Sequence, residues 1–88
     1  MEFAKSLSGH DKNQYYLVVQ REGQLLSLVN GTNRPLEKPK KKNEKHIQII
    51  KKIPEEVIEL LEREQSNLTI KRAIKIYEKL LNQNQEEI

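Results

Sequence analysis

The side chains best suited to chemistry in this chain are lysines, and they are concentrated in one stretch. Residues 34–52 carry eight basic side chains against two acidic ones, a net charge of +6, whereas the whole chain of 88 residues has a net charge of +3. Lysine ammonium groups pair with phosphates as point charges and add affinity by releasing counterions, without reading bases. A local positive field of this kind indicates a polyanionic partner. The alternative is a solvated loop that only keeps the protein soluble.

Two segments are predicted to contact such a partner. The first is a basic loop from Lys40 to Lys45, and the second is the turn from Gly9 to Asn13, where a glycine permits a tight backbone. The alternative for the turn is an ordinary hairpin connection without a ligand. The residues predicted to bind are Gly9, His10, Lys12, Arg34, Lys38, Lys40, Lys41, Lys42, Lys45 and His46.

Catalytic and metal-binding patterns are weak. The histidines, His10 and His46, are far apart in the sequence and no cysteine accompanies them, which makes a poor ligand set. The carboxylates of residues 55–62 fall on a predicted solvated helix and form no acid–base pair. We therefore expect no catalytic residue, metal or cofactor, and a protein that is not an enzyme.

Composition also suggests a location. Without cysteine there are no disulfides, which permits a reducing, cytosolic setting. No stretch approaches the roughly 18 continuous apolar residues of a membrane span. The first residues lack the basic and apolar regions of a signal peptide. We expect a cytoplasmic protein that does not bind membranes.

Strand patterns fill the first part of the chain. Aromatic and β-branched residues make Tyr15–Val19 the strongest strand signal, while Gly23 and the Asn30-Gly31 pair mark turns. Prolines place the segment around Pro35 at a sheet edge, because proline cannot donate to a ladder. Short strands are thus predicted at residues 3–7, 15–19, 25–29, 34–39 and 46–50. Closure into a small barrel is the simplest way for so few strands to avoid exposed edges.

Helical patterns follow the strands. Pro54 suits the first position of a helix, and apolar residues then recur at helical spacing through Leu61. Residues 66–69 break this helix, and Thr69 is predicted as the N-cap of a second one that continues to Leu81. The polar end, Asn82 to Ile88, is predicted to fray.

Two blocks of the sequence resemble the KOW family of RNA-binding domains. The first runs from Leu7 to Val19, with Gly9 between two alternating strands. The second, from Asn30 to Gln48, is similar to bacterial KOW-domain proteins related to large-subunit ribosomal proteins of archaea and eukaryotes. Relatives often carry a further glycine where this chain has Asn13, and asparagine tolerates a left-handed backbone better than most residues.

This resemblance implies a mainly β fold, an SH3-like five-stranded barrel of the KOW type over residues 1–52. Two short amphipathic helices would follow as a hairpin over residues 53–88. It further implies RNA binding, with ribosomal RNA as the expected ligand. We therefore expect a ribosomal-protein-like or ribosome-associated protein of translation, monomeric when free, with RNA and ribosomal proteins as partners.

Two other functions remain open. A KOW module could dock on RNA polymerase or a translation factor, and the two helices could bind DNA. The second helix also carries basic residues opposite its apolar stripe, namely Lys71, Arg72, Lys75 and Lys79. For these we favour an amphipathic helix packed on its neighbour or on the barrel over a second RNA surface, because the first helix is acidic and would repel phosphates.

Overall fold

The chain folds as one antiparallel sheet followed by two helices. A computed structural model describes residues 1–86. Its elements are β1 (Phe3–Ser6), β2 (Tyr15–Glu22), β3 (Leu25–Val29), β4 (Lys40–Asn43), a 3-10 helix (Glu44–His46), β5 (Ile47–Ile50), α1 (Glu55–Arg63) and α2 (Asn67–Glu86). The strand order is β4-β3-β2-β1-β5. No helix within these residues is long and apolar enough to cross a membrane.

The fourth strand lies later in the chain than predicted. Residues 34–39 form no strand, because the chain turns at Pro35, whose carbonyl accepts a hydrogen bond from Lys38 N at 2.9 Å. The strand is Lys40–Asn43, so the prediction of a basic loop over residues 40–45 was wrong. Lysine has a low strand propensity, but pairing with the open edge of β3 overrides it.

Both faces of the sheet are buried, and they are covered in different ways. On the inner face, the buried cluster consists of strand residues alone: Ala4, Tyr16, Leu26, Leu28 and Ile47. Since no helix contributes to this cluster, the sheet must curl around it. The outer face carries Phe3, Leu17 and Val29, which share a core with both helices.

The coarse fold prediction is confirmed, because the protein is mainly β with five strands and two C-terminal helices. The finer prediction, an SH3-like five-stranded barrel, is not confirmed. Within residues 1–86 no ladder joins β4 to β5, so the hydrogen-bonded sheet is open rather than closed into a barrel.

The helix boundaries also differ from the predictions. Helix α1 begins at Glu55, with Pro54 as its N-cap. Helix α2 begins at Asn67, so Thr69 is not the N-cap. Instead Ser66 N donates to Thr69 Oγ1 (2.9 Å) and Thr69 N donates to Ser66 Oγ (3.2 Å), a reciprocal cap in which each side chain satisfies the other's backbone.

At 20 residues, α2 is not the short helix that was predicted. It continues through Glu86, into the stretch expected to fray, and residues 87 and 88 lie outside the described part of the chain. Tyr77 of α2 binds the helix to the sheet. Its ring makes edge contacts with Phe3 (5.2 Å between centroids) and Tyr15 (5.4 Å). Such pairs add about 1 kcal/mol each beyond the area they bury.

The start of α2 docks on the loop between β3 and β4. Asn67 Oδ1 accepts a hydrogen bond from Leu36 N at 2.7 Å, and Asn67 Nδ2 donates to Glu37 at 2.6 Å. Gly31 lies directly against this first turn with φ +80°, where a Cβ would overlap the carbonyl oxygen of Asn67 and come within 2.9 Å of Lys71 N. This contact fixes the position of α2 beside the loop.

We predict that Gly31→Ala destabilises the protein by about 3 kcal/mol or more, since it adds a backbone clash to the strain of a positive φ. Gly23→Ala is the matched control. Gly23 also has a positive φ (+59°), but a Cβ there meets nothing within 4 Å, so its cost is about 1 kcal/mol. Urea denaturation of both variants measures the difference. Equal midpoints would show that the loop and α2 are not in close contact.

Candidate functional site

The loop between β1 and β2, residues 7–14, is held by its own backbone. Gly9 and Asn13 both have left-handed conformations (φ +90° and +72°), which confirms the prediction that Asn13 could replace a glycine. Asn13 N donates to Ser6 O (2.8 Å), and Ser6 N donates to Gln14 O (3.0 Å). These bonds close the loop across its base and turn Asp11 inward.

Asp11 is the centre of a buried polar network on the inner face of the sheet. Its side chain is 11% exposed and accepts four hydrogen bonds. The donors are Tyr16 Oη (2.7 Å), Lys40 Nζ (2.8 Å), Ser6 Oγ (2.9 Å) and Lys42 Nζ (3.0 Å). One carboxylate thereby joins β1, β2 and β4 to the β1–β2 loop.

The register of β4 explains why two lysines reach Asp11. Lys40 pairs with Leu28 and Lys42 with Leu26, so these lysines share the inner face with two core leucines, while Lys41 lies on the other face. A lysine ammonium on a buried face requires a counter-charge, and Asp11 is that counter-charge for both.

The network sets the ionisation of its members. Burial alone would raise the pKa of Asp11, but the hydrogen bonds from Lys40, Tyr16 and Lys42 outweigh it and hold the pKa well below its usual value. Burial raises the pKa of Tyr16, and the hydrogen bond to the Asp11 carboxylate raises it further. At neutral pH Asp11 is therefore an ionised carboxylate and Tyr16 a neutral phenol.

The two network lysines differ in how much of their donor capacity is used. Lys42 directs all three of its N–H groups inward, because it also donates to Ser6 Oγ (2.6 Å) and Ser8 O (2.8 Å). Its side chain is 12% exposed, against 27% for Lys40, whose ammonium donates only to Asp11 within the described residues. Lys42 is thus a structural residue, whereas Lys40 retains N–H groups for a ligand.

The structure brings the β1–β2 loop and the segment 40–46 together, but Lys41 lies on the opposite face of the sheet from Lys40 and Lys42. Leu7 N donates to His46 O at 2.9 Å, which places the β1–β2 loop against the 3-10 helix, and a Cβ on Gly9 would lie 3.9 Å from Lys42 Nζ. The loop residues and the 40–46 segment are therefore neighbours. The exposed members of the predicted set are Gly9, His10, Lys12, Lys38, Lys41, Lys45 and His46, and Arg34 is half-buried.

Sequence reasoning missed the network itself. Asp11 was assigned to a turn by composition, and Ser6 and Tyr16 were assigned only to strands. The sequence signal for the network was a single acidic residue, Asp11, between Gly9 and Asn13. Its partners could not be identified from the sequence, because they lie as far as 31 residues away in the chain. Helix α2 packs on the sheet and on α1, as expected for an amphipathic helix, and nothing in the sequence indicated that its Lys71 and Lys75 line a groove beside the same loop.

Comparison with known proteins assigns no family to the chain. No family model matches it, and a search of curated proteins finds no relative.

We predict that Asp11→Asn destabilises the protein by about 3 kcal/mol at pH 7, because it leaves two inward-facing lysines without a counter-charge. The effect should depend on pH. Since folding lowers the pKa of Asp11 from 3.8, its stabilisation is present above about pH 4 and is lost as the pH falls below that value. Denaturation midpoints from pH 7 to pH 2 should therefore converge for wild type and variant. A constant difference would contradict this assignment.

Neighbouring lysines of β4 should respond differently to the same substitution. Lys42→Met removes three hydrogen bonds from the network, so it should lower the free energy of unfolding by about 2 kcal/mol. Lys41→Met, on the exposed position between the two network lysines, should change it by less than about 0.5 kcal/mol. Chemical denaturation of both variants measures this contrast. Equal effects would place Lys42 outside the network.

Proposed function

We propose that the protein binds RNA through the exposed basic residues around the β1–β2 loop and the segment 40–46. The observation that carries the proposal is the Asp11 network, which holds these two segments together although they are distant in sequence. Lys12 and Lys45 are exposed cations of this surface, and neither has a carboxylate within 4.0 Å among the described residues. Unpaired cations on a fixed backbone suit the phosphates of a folded RNA.

The fold supports a finer proposal, that the sheet is an SH3-like barrel of the KOW type. It curls around an inner cluster made only of strand residues. Its two edge strands follow one another in the chain, since β4 ends at Asn43 and β5 begins at Ile47, joined by the short 3-10 helix. The two sheet edges therefore approach each other at that corner.

The expected ligand is ribosomal RNA, and the expected role is that of a ribosomal-protein-like or ribosome-associated protein in the cytoplasm. This part of the proposal rests on the sequence resemblance. The residue types of the proposed surface also suit a ribosomal RNA ligand. Lysines dominate the proposed surface, and such contacts position a protein on a folded backbone without reading sequence.

Salt-dependent binding tests the proposal. The double variant Lys12→Gln, Lys45→Gln should bind ribosomal RNA more weakly than wild type. Each lost phosphate contact should reduce the slope of log K against log salt by about 0.7–0.9. Lys40 and Lys42 are left unchanged, because replacing them would also disturb the Asp11 network.

The control variant, Arg21→Gln, Arg63→Gln, removes the same charge from exposed positions on β2 and α1. It should retain nearly the wild-type slope. If both double variants weaken binding equally, net charge rather than this surface determines affinity. If wild type shows no affinity for ribosomal RNA even at low salt, the proposed function is wrong.

A further inference from the structure

A groove lies where α2 passes the β1–β2 and β3–β4 loops. It has a volume of about 330 Å³, at the lower end of the range of small-ligand sites, roughly 300–1,000 Å³. Its walls come from three segments distant in sequence. The lining residues are Asn13, Gln14, Tyr15, Asn30, Thr32, Lys71, Ile74, Lys75 and Glu78.

One wall of the groove is preformed. Asn30 Oδ1 accepts hydrogen bonds from Thr32 N, Thr32 Oγ1 and Arg34 N, each at 3.0 Å, so the β3–β4 loop is rigid. Gly31, packed against the first turn of α2, sets the distance between this wall and the helix. A ligand would therefore meet a groove of fixed width.

The opposite walls carry polar groups without partners. The side chains of Asn13 and Gln14 are exposed and make no hydrogen bond within the described residues. Lys71 and Lys75 lie one helical turn apart on the same edge of α2, and neither has a carboxylate within 4.0 Å in that part of the chain. The groove thus offers two amides and two ammonium groups to a ligand.

The groove also has an aromatic component. Tyr15 is half-buried, and its ring is held by the edge contact with Tyr77 at an interplanar angle of 77°. A fixed aromatic residue beside amide groups and lysines is the combination that binds unpaired nucleotides, because the ring contacts the base while lysines hold the phosphates.

We propose that this groove binds an unpaired nucleotide of the RNA. The proposal rests on the proposed RNA-binding function and specifies its ligand as RNA with a bulged or single-stranded base. Lys71 and Lys75 bind the phosphates that flank this nucleotide, and Asn13 and Gln14 form hydrogen bonds with its base. The carboxylate of Glu78 repels phosphate from its end of the groove. Because it accepts hydrogen bonds and does not donate them, it can bind the N–H groups of a base there.

The groove is continuous with the surface proposed above. Asn13 and Gln14 end the loop that also carries His10 and Lys12, so one RNA strand can follow the loop from the basic surface into the groove. The β1–β2 loop thereby contributes to both sites.

Two RNA probes test the groove in the full-length protein. One is a fully paired hairpin, and the other is the same hairpin with a single bulged nucleotide. Wild type should bind the bulged hairpin about tenfold more tightly. The variant Lys71→Gln, Lys75→Gln should lose most of this preference, and Gln14→Ala should reduce it. The double variant should also reduce the salt slope for the bulged probe by about 0.7 per lysine.

The variant Arg72→Gln, Lys79→Gln is the control, since it removes the same charge from α2 at residues that do not line the groove. It should keep the preference for the bulged hairpin. If wild type binds both hairpins equally tightly, or if both double variants behave alike, the groove is not a nucleotide site, although RNA binding itself stands. Failure of wild type to bind either hairpin, or ribosomal RNA, would instead overturn the proposed function.

Discussion

The buried carboxylate of Asp11 is the interaction on which the rest of this structure depends. It lies among side chains from three strands and accepts hydrogen bonds from two lysines, a serine and a tyrosine. In a low-dielectric interior, removing any one partner leaves the others incompletely satisfied. No buried side-chain nitrogen or oxygen within residues 1–83 lacks a hydrogen-bond partner. The network is therefore complete, and it specifies the register of β4 because a shift by one residue would turn Lys40 and Lys42 outward.

The two faces of the sheet carry different interactions. On the inner face, the register of β4 places an ion cluster beside the apolar cluster around Tyr16, whose ring is buried while its hydroxyl reaches Asp11. On the outer face, strand residues and helices form one core in which Tyr77 contacts two aromatic rings of the sheet. The helices are thus part of the same packing unit as the strands. Helix α2 in turn provides one wall of the groove beside the β1–β2 loop.

The basic residues divide into structural and exposed groups. Lys42 uses its three N–H groups inside the protein, and Lys40 uses one. The remaining cations of the β1–β2 loop and the 40–46 segment project into solvent, where a flexible lysine loses side-chain entropy when it binds. A fixed backbone beneath them lowers the further cost of ordering the site. Lys40 and Lys42 thus position the surface that we propose to bind RNA, and Lys12 and Lys45 are its exposed cations.

The sequence by itself determined the element types and the positive character of the 34–52 segment. The aromatic and β-branched residues of 15–19, the apolar residues of 25–29 and the change to helical spacing after Pro54 are local signals, and all three elements were predicted correctly in kind. The left-handed conformation of Asn13 was likewise a local property.

Tertiary structure alone decided where the fourth strand lies and which lysines are exposed. A run of three lysines carries no local signal for a strand, and it becomes one because the edge of β3 offers a ladder and Asp11 offers a counter-charge. The groove beside α2 was equally beyond local patterns, because one of its walls comes from a helix more than 35 residues away from the two loops, and they meet only when Gly31 packs against that helix. Pairing and burial between distant residues have no periodicity along the chain, and only the folded structure reveals them.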